Sequence, residues 1–157
     1  MEKRIETKRV TAAHRDKLVL FMIGMRVNKW WAIHKWLPVA FAMPAMIKEL
    51  YQNKEYGCLS MESFFSLRTT YLLQYWRSEE ELFAYAKGQT HLKAWKNFNK
   101  RCRNNSAVGI YHETYVVAPE KMESIYVNMP KFGLAKVSGY EKVTKKLQTA
   151  SQRLVKN

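Results

Sequence analysis

Cysteine is scarce in this chain of 157 residues: only Cys58 and Cys102 occur, with no CxxC and no Cys/His metal spacing. That excludes a disulfide-stapled scaffold and a zinc module, and it fits reduced thiols in a cytoplasmic protein. Long hydrophobic runs are missing too. The apolar stretch Leu18 to Met25 is too short to span a bilayer and contains Gly24, so no membrane partner is expected. The charged start MEKRIETKRVTAAHRD has no secretory pattern. No GxGxxG, GxxxxGK[ST] or GxSxG occurs, and HETY is not HExxH, which disfavours nucleotide hydrolysis, serine-hydrolase chemistry and a helical zinc site. There is no internal repeat and no low-complexity segment.

Acidic residues are also few, 13 against 27 Lys and Arg, for a formal charge of +14. Much of the excess lies near the ends: Lys3, Arg4, Lys8, Arg9 and Arg15, then Lys131, Lys136, Lys142, Lys145, Lys146, Arg153 and Lys156. Such a field attracts polyanions or acidic ligands, or it simply solvates a basic surface.

Apolar side chains, by contrast, are abundant. Hydrophobic residues reach 47% and aromatics 13%, which argues against disorder and for one domain with a real core. The aromatic and methionine load further suggests a subunit interface or a roomy apolar pocket.

The stretch VGIYHETYVV, Val108 to Val117, is rich in Val, Ile, Thr and Tyr and reads as a strand. Alternation places Val108, Ile110, His112, Thr114 and Val116 on one face, with Tyr111, Glu113, Tyr115 and Val117 on the other. Both faces are largely apolar, so cover on both sides is expected, and the central His112–Glu113 pair then needs partners.

Residues 1–16 read as a flexible basic arm, residues 17–137 as the folded domain, and residues 138–157 as a basic tail or short amphipathic helix. Within the domain, Lys17 to Arg26 predicts a first strand, apolar on both faces. Residues 28–53 carry helical spacing, interrupted by Pro38 and Pro44, which predicts pieces over about 30–43 and 44–52. Residues 57–67 and 69–77 predict an antiparallel hairpin. Ser78-Glu79-Glu80-Glu81 is a capping box that starts a helix ending at Gly88. A further helix is expected over 90–104, and a short strand over 123–128.

The resulting order, β-α-β-β-α-β, is the α+β, ferredoxin-like plan with an antiparallel four-stranded sheet. Its helices cover one face only. A second copy against the other face is the economical cover, so a homodimer is expected.

The blocks MRVNKWW, HKWLPVAFAMPAMIKEL, YWRSEEELFAYA, HLKAWKNFNKR, VGIYHETYVV and ESIYVNMPKFGLAK carry a family resemblance over about residues 9–137. The chain resembles an uncharacterised bacterial family, labelled "monooxygenase family protein", of the dimeric α/β-barrel superfamily. The resemblance implies that fold. It also implies an activity drawn from the superfamily's range: cofactor-free antibiotic-biosynthesis monooxygenases, haem-degrading monooxygenases, chlorite dismutases, aldoxime dehydratases, or non-catalytic stress and binding proteins. In haem-degrading members a helix of the YWRSEEELFAYAKGQTHLKAW region supplies the axial histidine. The aligned axial position here is Trp95 and the catalytic-tryptophan position is Tyr85; neither matches, which argues against that mechanism.

Of the four histidines, His112 is the leading candidate, as general base or as a ligand to haem iron. His34, beside Trp30, Trp31 and Trp36, is the second candidate for haem. His14 is expected to be exposed in the arm, and His91 to cap a helix or lie on the surface. An apolar or aromatic ligand is expected between sheet and helices, near Trp30, Trp36, Phe41, Tyr75, Trp76 and His112, in a monooxygenase-like enzyme that is either cofactor-free or haem-dependent. The alternatives are a non-catalytic basic module for nucleic acid or acidic partners, and a ligand-sequestering dimer.

Overall fold

The structure, a computed structural model, describes residues 5–102 and 106–156. Lys3, Arg4 and Arg103, and the side chains of Cys102 and Lys156, lie outside the described residues. Six strands and six α-helices follow in order: β1 (Val10–Ala12), β2 (Leu18–Val27), α1 (Ile33–Ala40), α2 (Ala42–Gln52), β3 (Cys58–Phe65), β4 (Thr69–Trp76), α3 (Glu79–Ala86), α4 (Gln89–Cys102), β5 (Val108–Val117), α5 (Leu134–Ser138), β6 (Tyr140–Lys142) and α6 (Ala150–Lys156). Strands β2 to β5 form one antiparallel sheet in the order β3-β4-β2-β5, the ferredoxin-like arrangement of a dimeric α/β barrel. The most apolar strand, β2, is central, and β5 is an edge.

The helices take their places for local reasons. Pro44 has no N–H for the carbonyl four residues back and its ring clashes there, so the run breaks at Phe41 and Pro44 falls in the first turn of α2. Helix α3 begins with one half of the capping box, the Glu81 amide donating to Ser78 Oγ at 3.3 Å, while the Glu81 carboxylate accepts from Arg77 Nε at 3.1 Å. It does not end on a left-handed glycine. Gly88 instead lets the chain pass close to the Tyr85 carbonyl, and α4 starts at the next residue.

All four helices of the two crossovers pack on one face of the sheet, around Val19, Leu50, Cys58, Met61, Trp76 and Leu82, and around Met25, Val27, Val39 and Val108. The opposite face is only partly covered, and by the chain itself. Met122, Leu134 and Val137 close over Leu18, Leu20, Leu59, Leu73 and Tyr75. A bulge between Cys58 and Ser60 turns Ser60 and Glu62 towards this layer. There Glu62 accepts from the Gly133 amide and from Lys136 Nζ, both at 2.7 Å.

Within the segment expected as an arm, Val10–Ala12 pairs with Tyr140–Lys142 of the segment expected as a tail or short helix, and a short helix does form there over Ala150–Lys156. Strand β1 runs antiparallel to β6, and Val10 also exchanges backbone hydrogen bonds with Tyr126, an isolated bridge in place of the strand expected over 123–128. Val10 and Ala12 are buried, which is why the segment docks rather than floats. His14, expected outside, is buried as well. Arg153 is 6% exposed because Glu123 takes its Nε at 2.8 Å and the Leu147 and Gln148 carbonyls take Nη1. Among the described residues no helix is long and apolar enough to cross a membrane.

Candidate active site

Where β2 and β5 run side by side beneath the helices, the sheet falls short of a tight contact with α4. A cavity of about 460 Å³ is left there. Its floor is Phe21, Ile23 and Met25 of β2 with Ile110, His112 and Thr114 of β5. Its roof comes from α1 and α2 (Pro38, Val39, Met43, Met46) and from α3 and α4 (Leu82, Phe83, His91, Leu92, Trp95, Phe98). Phe83, Leu92 and Trp95 are about half exposed, so the cavity opens between these helices. A side chamber of about 40 Å³ shares Phe21, Met43 and His91 and leads towards Gln74 and Tyr85.

Polar groups in the wall are few: His91, Asn97, His112 and Thr114. The period of two along β5 brings His112 into the floor, directly opposite Ile23 across the ladder and with its ring 5.7 Å from that of Phe21. Its side chain is exposed to the open cavity and makes no hydrogen bond among the described residues. Glu113, its neighbour, faces the other side and accepts from Tyr115 Oη at 2.7 Å. The strand centre is therefore not covered on both faces. The self-cover reaches only as far as Val117 on this strand, and the helix side opens into the cavity.

His91 is the residue that sequence reasoning missed. It sits in the first turn of α4, but its ring points inward, 6.1 Å from the Tyr85 ring and at 63° to it. Its Nδ1 is buried with no partner among the described residues. Behind it, Glu49 accepts from Tyr85 Oη at 3.1 Å and Thr90 Oγ1 at 2.9 Å. Burial, then the Glu49 carboxylate, drives the Tyr85 hydroxyl well above its ordinary range, so it stays protonated. The helical spacing His91, Ala94, Trp95, Phe98 was a signal for this inward face.

The other expected pocket residues are elsewhere. Consecutive strand residues point to opposite faces, so Tyr75 and Trp76 cannot share a pocket. Tyr75 lies in the self-covered layer, where burial pushes its hydroxyl up to about 12, and Trp76 is wholly buried in the helix-side core. Trp36 donates Nε1 to the Trp30 carbonyl and meets the Trp30 ring edge-on at 5.6 Å, outside the cavity. Phe41 is 70% exposed at the α1–α2 break. His34 is exposed on the outer side of α1, away from the cavity, because Trp36 and Val39 take the inward side.

Among the described residues, no group of His, Cys, Asp or Glu is placed to hold a metal ion directly. Haem is a different case, since one imidazole in an apolar hollow suffices as its protein ligand. His91 and His112 offer an imidazole each, from the helical and the sheet wall. The donor set fits.

Residues 18–134 match the family described as Monooxygenase af470-like. That is most of the chain. The protein belongs to the Monooxygenase af470-like family. No curated protein matches it. Among solved structures it is similar to an aldoxime dehydratase, OxdRE, crystallised with butyraldoxime, at 18% identity and a TM-score of 0.68. That match covers 88% of this chain and 43% of the dehydratase. A second aldoxime dehydratase gives 18% identity and 0.67, over 88% and 44%. The cofactor-independent oxygenase SnoaB from Streptomyces nogalater gives 8% and 0.46, over 65% and 93%. The chain thus spans less than half the length of the dehydratases it matches, and at these identities the likeness is one of fold.

Proposed function

We propose that the chain is a monooxygenase-like enzyme acting on a small apolar or aromatic molecule held in the cavity, with His112 as its acid–base group. One observation carries this reading: an apolar cavity of about 460 Å³, within the range of small-molecule sites, has imidazoles as its titratable wall groups. In the cofactor-free form, the walls desolvate a carbon acid and His112 takes its proton. The carbanion then passes one electron to dioxygen, the radical pair recombines to a peroxide anion that takes a proton back from His112, and the hydroperoxide loses water as its O–O bond breaks, leaving the carbonyl. Were haem the occupant, His91 or His112 would hold its iron and the other would serve proton transfer; haem would supply the oxygen or N–O bond chemistry. His34 has no part in either form.

The test is dioxygen uptake with an aromatic carbon acid such as anthrone, with and without added hemin. Uptake lowered by about a hundredfold or more in His112→Ala is the expected result, the usual size of a lost general base. A Soret band on adding hemin, lost in His91→Ala or His112→Ala, assigns the haem form. No uptake, no Soret band and no ligand in the cavity would overturn the reading.

The same reading includes a homodimer. Tyr111 and Tyr115 stand half exposed on the sheet's second face beyond the reach of the self-cover, with the Tyr111 ring lying over Gly24. A second copy would bury them. Light scattering on Tyr111→Lys/Tyr115→Lys should then report a monomer where the parent reports a dimer; two dimers, or two monomers, would remove this part.

The basic-module alternative rested on the charged termini. There Arg15, Lys136 and Arg153 are each engaged, with Glu141, Glu62 and Glu123 respectively.

A further inference from the structure

Beside the main cavity lies the smaller hollow of about 40 Å³, set between β4, α2 and α3. The two share a wall. Its residues come from β2, α2 and α3, among them Phe21, Met43 and Leu82, and all of these are apolar. His91 of α4 is the only polar residue that lines both hollows. Ile47 and Leu50 of α2, Leu72 and Gln74 of β4, and Tyr85 of α3 line the small chamber alone.

Size and polarity restrict what this chamber takes. One water needs roughly 10–15 Å³ of such space, so about 40 Å³ holds a diatomic molecule and excludes an aromatic ring. Water finds few partners there. Trp76 Nε1 already donates to Gln74 Oε1 at 2.9 Å, and Tyr85 Oη donates to Glu49 at 3.1 Å. A hollow lined in this way favours a small uncharged guest over water.

We propose that the side chamber is a dioxygen pocket. The proposal rests on the cofactor-free reading of the site, which needs a carbon acid and dioxygen side by side. The two hollows match these reactants in size. Phe21 of the shared wall has its ring 5.7 Å from that of His112, so the chamber lies one side chain away from the base. Once His112 has taken the proton, the carbanion passes one electron to the dioxygen beside it. Dioxygen becomes superoxide, the substrate becomes a carbon radical, and the pair joins through a new C–O bond as the peroxide anion. No further oxidant or reductant enters. The charge arriving on dioxygen meets His91, the polar group of the shared wall.

Two measurements on the full chain test the pocket. Xenon enters dry apolar hollows, so crystals of the parent under xenon pressure should show it in the side chamber. The second is the dioxygen dependence of anthrone oxidation. Ile47→Phe fills the chamber from a position outside the main cavity, and it should raise KM for dioxygen about fivefold or more while KM for anthrone stays at the parent value. Ile47→Leu, of equal volume, should keep both. Xenon in the main cavity alone, or an ordered water in the chamber in its place, overturns the proposal, and this arm holds even if Ile47→Phe does not fold. A folded Ile47→Phe with KM for dioxygen unchanged overturns it as well and leaves the reading of the main cavity standing. No dioxygen uptake by the parent removes that reading and the pocket's role with it.

Discussion

Replacing Trp76 by alanine should lower stability by about 3–5 kcal/mol, the usual range for emptying a buried tryptophan site. Trp76 is wholly buried among Val19, Leu50, Cys58, Met61 and Leu82, where β2, β3 and β4 meet the helices, and its ring stands 5.7 Å from that of Tyr85. A second cost adds to the void. Trp76 Nε1 donates to Gln74 Oε1 at 2.9 Å, and Gln74 is itself buried, so the variant leaves an amide without its partner. For a chain of this length, each kcal/mol moves the melting temperature by roughly 2–4 °C. Thermal denaturation followed by circular dichroism should show a fall of about 10 °C. A fall under about 3 °C would mean that the site collapses or hydrates freely, contrary to its burial. Trp76→Phe should lose much less, since most of the apolar volume stays.

Glu62→Ala is the second large effect, and it acts on the other face of the sheet. Glu62 is 8% exposed and holds two donors, the Gly133 amide and Lys136 Nζ. Charged hydrogen bonds contribute about 1.5–3 kcal/mol each, and removing one partner strands the others. Lys136 keeps partial access to water, which softens its share, so the expected loss is about 2–4 kcal/mol. The loss should be local before it is global. Amide exchange should accelerate first at Gly133, Ala135 and along α5, while β2 and β4 stay protected. Uniform acceleration over the whole chain would show that this ion pair does not anchor the self-cover in particular. Glu62→Gln should fall between the two, because it still accepts from the Gly133 amide but gives up its charge to Lys136.

How much of this was readable depends on the range of the physics involved. The positions of β2 to β5 followed from apolar runs and alternation, and the start of α3 from Ser78 and Glu81, because a cap and a pleat are settled within four residues. The hairpin of β3 and β4 and the order βαββαβ followed from the same local signals taken in sequence, and the family from the resemblance of whole sequence blocks. His112 could be placed on one face of its strand for that reason too. The opposite faces of Tyr75 and Trp76 were equally legible from alternation, though the expected pocket set both in one place.

Other features were decided only by contacts between distant segments. Spacing marks His91, Ala94, Trp95 and Phe98 as one face of α4, but that this face looks into a hollow above β2 and β5 was set by where the helix sits. The termini looked soluble by charge, yet Val10 and Ala12 are apolar enough to dock once Tyr140–Lys142 offers an edge to pair with. Arg153 and Lys136 read as solvated cations until Glu123 and Glu62 arrive from 30 and 74 residues away. Composition and periodicity thus determined which elements form and which face each would bury, since those follow from torsions and water within a few residues. Where a hollow remains, which imidazoles line it, and how far the chain covers its own sheet were set by the tertiary packing alone, because those are properties of the gaps between elements.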